Sequence, residues 1–178
     1  MKKRLVSIGL VLVMLIGMMP LGMFIVSAAT VNTGPNATTI FRFIRSKGYS
    51  YAATCGILAN IACESNFNPA AYNPNDNGSP SGGICQWHLG RLTNMISYCG
   101  GGDKWKSDLN GQLNFMMTEL PGAFYFSGTK GTTYKAIYFA NLTEFKTTND
   151  PYKAGYDWAR GWERCGSGWE SRGNLAKQ

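Results

Sequence analysis

The side chains able to do chemistry concentrate in one stretch of this chain. It reads Glu64-Ser65-Asn66-Phe67-Asn68-Pro69-Ala70-Ala71-Tyr72-Asn73, followed by Ser81-Gly82-Gly83-Ile84-Cys85-Gln86-Trp87. Glu64 falls at the expected C-terminal end of an apolar helix. The negative end of the helix macrodipole disfavours a carboxylate there. Phe67 and Trp87 are placed to desolvate it further. Both effects raise a glutamate pKa and keep the group protonated near neutral pH. A protonated carboxyl in an apolar pocket is what protonates the leaving oxygen of a glycosidic bond. Taken alone, a glutamate at a helix end is better read as simply solvated, so its neighbours must decide.

Those neighbours carry a resemblance. Gly56, Asn60, Glu64 and Ser65 recur at a spacing of four, then one, along one expected helix. Asn68-Pro69, Gly83-Ile84-Cys85-Gln86-Trp87 and Arg91-Leu92 follow. Near the C-terminus come Ala154-Gly155-Tyr156-Asp157-Trp158, Gly161-Trp162-Glu163-Arg164 and Arg172-Gly173-Asn174-Leu175-Ala176. Together these resemble the phage-tail lysozyme family of the lysozyme-like superfamily, which is related to goose-type lysozymes and lytic transglycosylases. The resemblance spans residues 37–177. It implies a mainly α, lysozyme-like α+β fold, with a small irregular or β-like loop insert beside an active-site cleft. It further implies cleavage of the MurNAc-GlcNAc backbone of bacterial peptidoglycan, with Glu64 as general acid.

Other residues then acquire candidate roles. Gln86 matches a polar group that the family turns toward the scissile sugar, or it braces its loop. Trp87 and Tyr72 offer aromatic faces to pyranose rings, or side chains to the core. Asn68 and Asn73 either hydrogen-bond the glycan or shape the loop. Arg91 either meets a wall carboxylate or is a solvated helix arginine. Glu163 matches an acidic position of the family and also suits a structural salt bridge. Hydrolysis usually takes two carboxylates, and Asp76, in the long loop, is the best-placed second acid by sequence. A lytic transglycosylase needs only Glu64 and releases a 1,6-anhydro product. Two rival readings remain at this stage. One is a wall amidase or peptidase built on Cys85 and His88, which would need a thiolate, a base and an orienting group together. The other is a glycan-binding module with an inactive cleft.

Helices must position these groups. Asn36 is the expected cap of a first helix carrying Ile40, Phe41, Phe43 and Ile44 and stopped by Gly48. Ser50 caps a second, through Ile57, Leu58 and Ile61, which ends near Ser65 because Asn66, Asn68 and Pro69 resist continuation. Residues 73–83 read as a long functional loop with no regular element inside it. Residues 84–87 read as a short strand or turn. Helical patterns cover residues 91–98 and 107–120, with a weaker one over 133–139. Asp150-Pro151 opens another, with a stripe of Tyr152, Tyr156, Ala159 and Trp162 that stops near Gly166. A last helix covers 169–176.

The 178 residues are 44% hydrophobic, enough for one well-packed domain. Lys2, Lys3 and Arg4, an apolar run over residues 5–26 and then Ser27-Ala28-Ala29 read as a signal peptide over residues 1–29. The run is also long enough for an uncleaved membrane anchor. Residues 30–36 then form a mobile lead and residues 37–178 the catalytic domain. The expected location is secreted or cell-wall associated. Net charge is +7, and without the three basic residues of the leader 14 cations face 10 carboxylates, leaving +4. That balance suits an anionic wall, and no Lys/Arg cluster points to nucleic acid. The expected partner is peptidoglycan, the expected state a monomer, and no cofactor or metal motif is present. Five cysteines in an exported chain suggest disulfides with one thiol left over. Cys55 and Cys63 are not expected to pair, being roughly 12 Å apart along one helix.

Overall fold

The computed structural model describes residues 34–178; the expected leader and residues 30–33 of the lead lie outside the described residues. The chain runs through α1 (Pro35–Ser46), α2 (Tyr51–Ser65), β1 (Tyr72–Asp76), β2 (Ser79–Gly82), β3 (Trp87–His88) and α3 (Gly90–Tyr98). A 3-10 turn (Lys104–Ser107) leads into α4 (Leu109–Ala123) and α5 (Leu142–Thr147). Then α6 (Pro151–Asp157) continues into a π-helical turn (Trp158–Glu163), and α7 (Trp169–Ala176) closes the chain. The three strands form one antiparallel sheet in chain order. The architecture is mainly helical α+β, as the sequence implies, with the sheet inserted between α2 and α3.

The central element is α2. Ser50 caps it by accepting from the Ala53 N–H at 3.0 Å, and its own hydroxyl donates to Thr148 O at 2.5 Å, fixing the helix start against the end of α5. Ala53, Ile57 and Ile61 are fully buried, as are Thr54 and Asn60. A helix covered on so many sides belongs to the interior of the fold. It reaches α6 through bare backbone: a Cβ built on Gly56 would lie 2.5 Å from Ala154 Cβ and 2.6 Å from Gly155 N. Asn60, one turn on, seals the crossing by donating through Nδ2 to Gly56 O and Gly155 O, each at 2.9 Å. The helix ends where Asn66 turns left-handed at φ 50°.

Several expectations change. Asn36 does not cap α1: Gly34 does, with Pro35 at the first position, and the Asn36 amide instead donates to Phe67 O at 3.0 Å. The last residues of the supposed mobile lead are therefore helical. Residues 73–83 are not structureless. They fold into the β1–β2 hairpin, whose register pairs Asp76 with Ser79 across Asn77-Gly78. Both tip residues have positive φ, 51° and 84°, which suits a two-residue hairpin turn. The irregular register between Asn73 and Asp76 brackets Pro74, which has no N–H for the ladder. Residues 133–139 form no helix. The Asp157 carboxylate accepts the N–H groups of Ile137, Tyr138 and Phe139 at 2.9, 2.8 and 3.0 Å, so they are not free for helical carbonyls. The helix lies just beyond, capped by Asn141.

The expected disulfides are not formed; all five cysteines are free. Cys85 and Cys99 are buried with their sulfurs 3.9 Å from those of Met116 and Met95. Cys55 and Cys63 lie on α2, and Cys165 follows the π-helical turn. Trp87, Trp158 and Trp162 are nearly or fully buried and join the sheet side of the core to the C-terminal helices.

Gly56→Ala tests the helix crossing. The added methyl must push α2 off α6, so the denaturation midpoint should fall, corresponding to a loss of roughly 1–3 kcal/mol. Unchanged stability in a urea titration would show that the crossing is looser than its geometry indicates.

Candidate active site

Glu64 is the second-last residue of α2, and its side chain is 17% exposed. It is not a frayed end. Arg172 Nη1, from α7, lies 2.5 Å from Glu64 Oε1. The same nitrogen donates to Asn60 Oδ1 at 3.1 Å. Cys165 Sγ approaches Glu64 Oε1 at 3.8 Å. The polar contacts of Glu64 are an ion pair and a thiol, and the Asn60 amide is bonded to the same arginine.

The turn after Glu64 is held closely. Ser65 donates to Ile61 O at 3.1 Å and to Ile84 O at 2.8 Å, tying the helix end to the loop before β3. Asn66 and Phe67 are both left-handed, φ 50° and 62°, and burial of the Phe67 ring helps fix that turn. Asn68 Oδ1 accepts from Ala70 N–H at 2.9 Å, and Asn73 Oδ1 from Asn75 N–H at 3.1 Å. Both residues shape their turns and remain exposed. Asn68 also lines a surface hollow with Asn36 and Asn66. Tyr72 is 51% exposed, with its ring centroid 6.4 Å from that of Trp105 and the Lys106 ammonium 5.8 Å above it.

Gln86 braces its loop. Its Oε1 accepts from the Ser81 hydroxyl at 2.9 Å, while Nε2 donates to Gly83 O at 3.1 Å and Ala71 O at 3.3 Å. Those bonds hold a residue whose φ is 44°. Trp87 is 1% exposed, so stacking on a sugar would require it to leave the core. Its indole N–H donates to Glu119 Oε1 at 2.6 Å. Asp76 stands beside the hairpin tip, where its Oδ1 accepts from Asn77 Nδ2 at 3.2 Å. The structure does not bring Asp76 into the bonded group around Glu64.

A second charged group is centred on Arg91 and Glu119. Arg91 donates to both oxygens of Glu119, at 3.2 and 2.7 Å, and to Trp162 O at 3.1 Å. Its guanidinium stacks on the Trp162 ring at 4.5 Å. Arg91 is thus only partly exposed, and its guanidinium is engaged by Glu119 and Trp162. Glu163, which ends the π-helical turn, accepts from Trp158 Nε1 at 3.2 Å. The residue keeps some surface, but its carboxyl lies deep in protein. Burial raises its pKa well above the usual carboxylate range, and the nearby Glu64 charge adds to the rise. Arg91 and Arg172 oppose it without cancelling it.

In the sequence Arg172 stands out only as part of the C-terminal motif, and Glu119 and Gln112 do not stand out at all. Gln112 is fully buried; its Oε1 accepts from Ile84 N–H at 2.8 Å, and Nε2 donates to Pro69 O and Trp105 O at 2.9 and 2.7 Å. Nothing local marks it, since its partners lie on three separate segments. Among the described residues no group of three or more His, Cys, Asp or Glu side chains is arranged to hold a metal.

Glu163 also predicts how stability depends on pH. Its folded pKa exceeds the unfolded value of about 4.3, so the folded chain binds the extra proton. Its contribution is complete below that value and is lost as pH rises toward the raised folded value. Melting temperatures across this interval should therefore decline less steeply in Glu163→Gln than in the unaltered protein. Parallel curves would contradict a buried, proton-holding Glu163.

The sequence model of the phage tail lysozyme family matches residues 35–178, from the first residue of α1 onward. No curated protein matches the chain.

Proposed function

Because the chain belongs to the phage tail lysozyme family, we propose that it is exported and cleaves the MurNAc-GlcNAc backbone of bacterial peptidoglycan with Glu64 as general acid. The observation that carries this reading is the placement of Glu64. It ends the central helix, it is oriented by Arg172, and its side chain is still 17% exposed. A proton donor needs that combination: held in position, yet able to reach the glycosidic oxygen. Residues 37–178 form the catalytic domain in this reading, acting as a monomer at the cell wall.

Tyr72 supplies an exposed aromatic face for a pyranose ring, and Asn68 and Asn73 offer side-chain amides to the glycan. Gln86 and Trp87 act from beneath, Gln86 by fixing the loop and Trp87 by anchoring β3 to Glu119. The Cys85/His88 alternative lacks support. Cys85 is buried against Met116, and burial pushes its thiol pKa well above the ordinary value, the reverse of what a nucleophilic cysteine needs.

Asp76 separates the two chemistries. In hydrolysis it would serve as the second carboxylate, steering water to the sugar. In transglycosylation Glu64 acts alone, and the muramic C6 hydroxyl closes the anhydro ring. Glu64→Gln should lower release of soluble wall fragments by about 10²–10⁴-fold. Full lysis by this variant would sink the reading, as would wall binding by the unaltered protein without fragment release. Mass spectrometry of the products then assigns the reaction. Reducing ends together with an inactive Asp76→Asn mean hydrolysis; 1,6-anhydro ends with an active Asp76→Asn mean transglycosylation.

A further inference from the structure

We propose that Glu163 is the partner carboxyl of Glu64, a positioning residue that competes with it for Arg172 and so governs when Glu64 is released from its ion pair. This rests on the reading of Glu64 as the proton donor.

The argument starts from how the guanidinium groups are distributed. Arg91 is committed to Glu119 through two N–H bonds and to Trp162 through its stacked face. Arg172 is committed to Glu64. Arg164 turns away, donating to Ala123 O at 3.1 Å and lying 4.3 Å over the Tyr125 ring. Among the described residues Glu163 has the indole N–H of Trp158 as its hydrogen-bond donor and no ion pair. A carboxyl enclosed by protein without its own cation is stable as the neutral acid.

Its position gives that proton a use. The segment after Glu163 folds over the end of α2, because Cys165, two residues on, places its sulfur 3.8 Å from Glu64 Oε1. Arg172 feels the charge of both glutamates. The ionisable groups acting on Glu163 come from every side: Glu64 on α2, Arg91 on α3, Arg172 on α7, Cys85 before β3, and Arg164 and Cys165 on its own segment. Of these, Arg172 is the cation already bonded to the other carboxyl. When Glu163 loses its proton, the new carboxylate draws Arg172 from Glu64. An O–H bond breaks at Glu163 and one forms at Glu64, negative charge passes from Glu64 to Glu163, and the charge of the group is unchanged. Glu64 then holds the proton destined for the glycosidic oxygen.

The test is the pH profile of wall lysis by the full chain. Glu163→Gln keeps an oxygen for the Trp158 N–H and removes the ionisable partner. Its profile should lose the alkaline limb at lower pH than the unaltered protein, by about one unit. Glu163→Asp should restore the original limb. Superposable profiles for Glu163→Gln and the unaltered protein, with Glu64→Gln inactive, would overturn the inference and leave the reading of Glu64 intact. Activity in Glu64→Gln would overturn both. A measurement on the unaltered protein covers the case in which the variants fold poorly. Carbon-13 NMR of labelled glutamate carboxyls should show one group still protonated at pH 7, and full ionisation of all of them would overturn the proposal.

Discussion

The fold around the candidate site depends on the side chain of Asn60. It is fully buried, and a buried amide must find partners for its donors and its acceptor. Its Nδ2 satisfies two carbonyls, one on its own helix and one on α6. Its Oδ1 takes a hydrogen bond from Arg172 on α7. Three helices are thereby fixed to one another by a single planar group. Gly56 makes this possible, because any side chain there would hold α6 out of reach. Glu64 lies one turn beyond Asn60 on the same helix, so the arginine bound to Asn60 is delivered to Glu64 as well. Position of the carboxylate and packing of the helices have one cause.

The second group, centred on Arg91 and Glu119, ties together different elements. It joins β3 through Trp87, α3 through Arg91, α4 through Glu119 and the π-helical turn through Trp162. Glu119 accepts from both Trp87 and Arg91, and each bond to its charge is stronger than a neutral one. Gln112 does similar work for the loops by satisfying groups on three segments. The interior beside Glu64 is therefore built from amides and ion pairs as much as from apolar contact.

Backbone strain collects around the same place. Asn66, Phe67, Gln86 and Leu89 all have positive φ without being glycine. Such conformations cost of order 1–3 kcal/mol each and persist where surroundings fix them. Phe67 is fixed by burial and by the Asn36 amide on its carbonyl, and Gln86 by three side-chain bonds. The rigid turn after α2 and the rigid loop before β3 are joined by Ser65. A carboxylate at their junction has little freedom to wander, which is what proton transfer to a bound sugar requires.

What the sequence alone determined was local. Ser50 and Asp150 announced two helix starts because capping involves neighbours three residues apart. Asn66, Asn68 and Pro69 announced the end of α2, and with it the position of Glu64. The Asn77-Gly78 turn was equally local, but the surrounding Asn, Pro and Ser obscured it, and the hairpin was read as a loop. The long-range pairs are of another kind. Arg172 lies 112 residues from Asn60, Glu119 is 28 from Arg91, and Asp157 is about 20 from the backbone it holds. No periodicity or cap marks such pairs. Their electrostatics exist only once burial removes water and the helix crossing at Gly56 brings α7 against α2. The sequence by itself determined which carboxylate ends the central helix. Only the tertiary structure decided that an arginine holds it and that, among the described residues, Glu163 forms no ion pair.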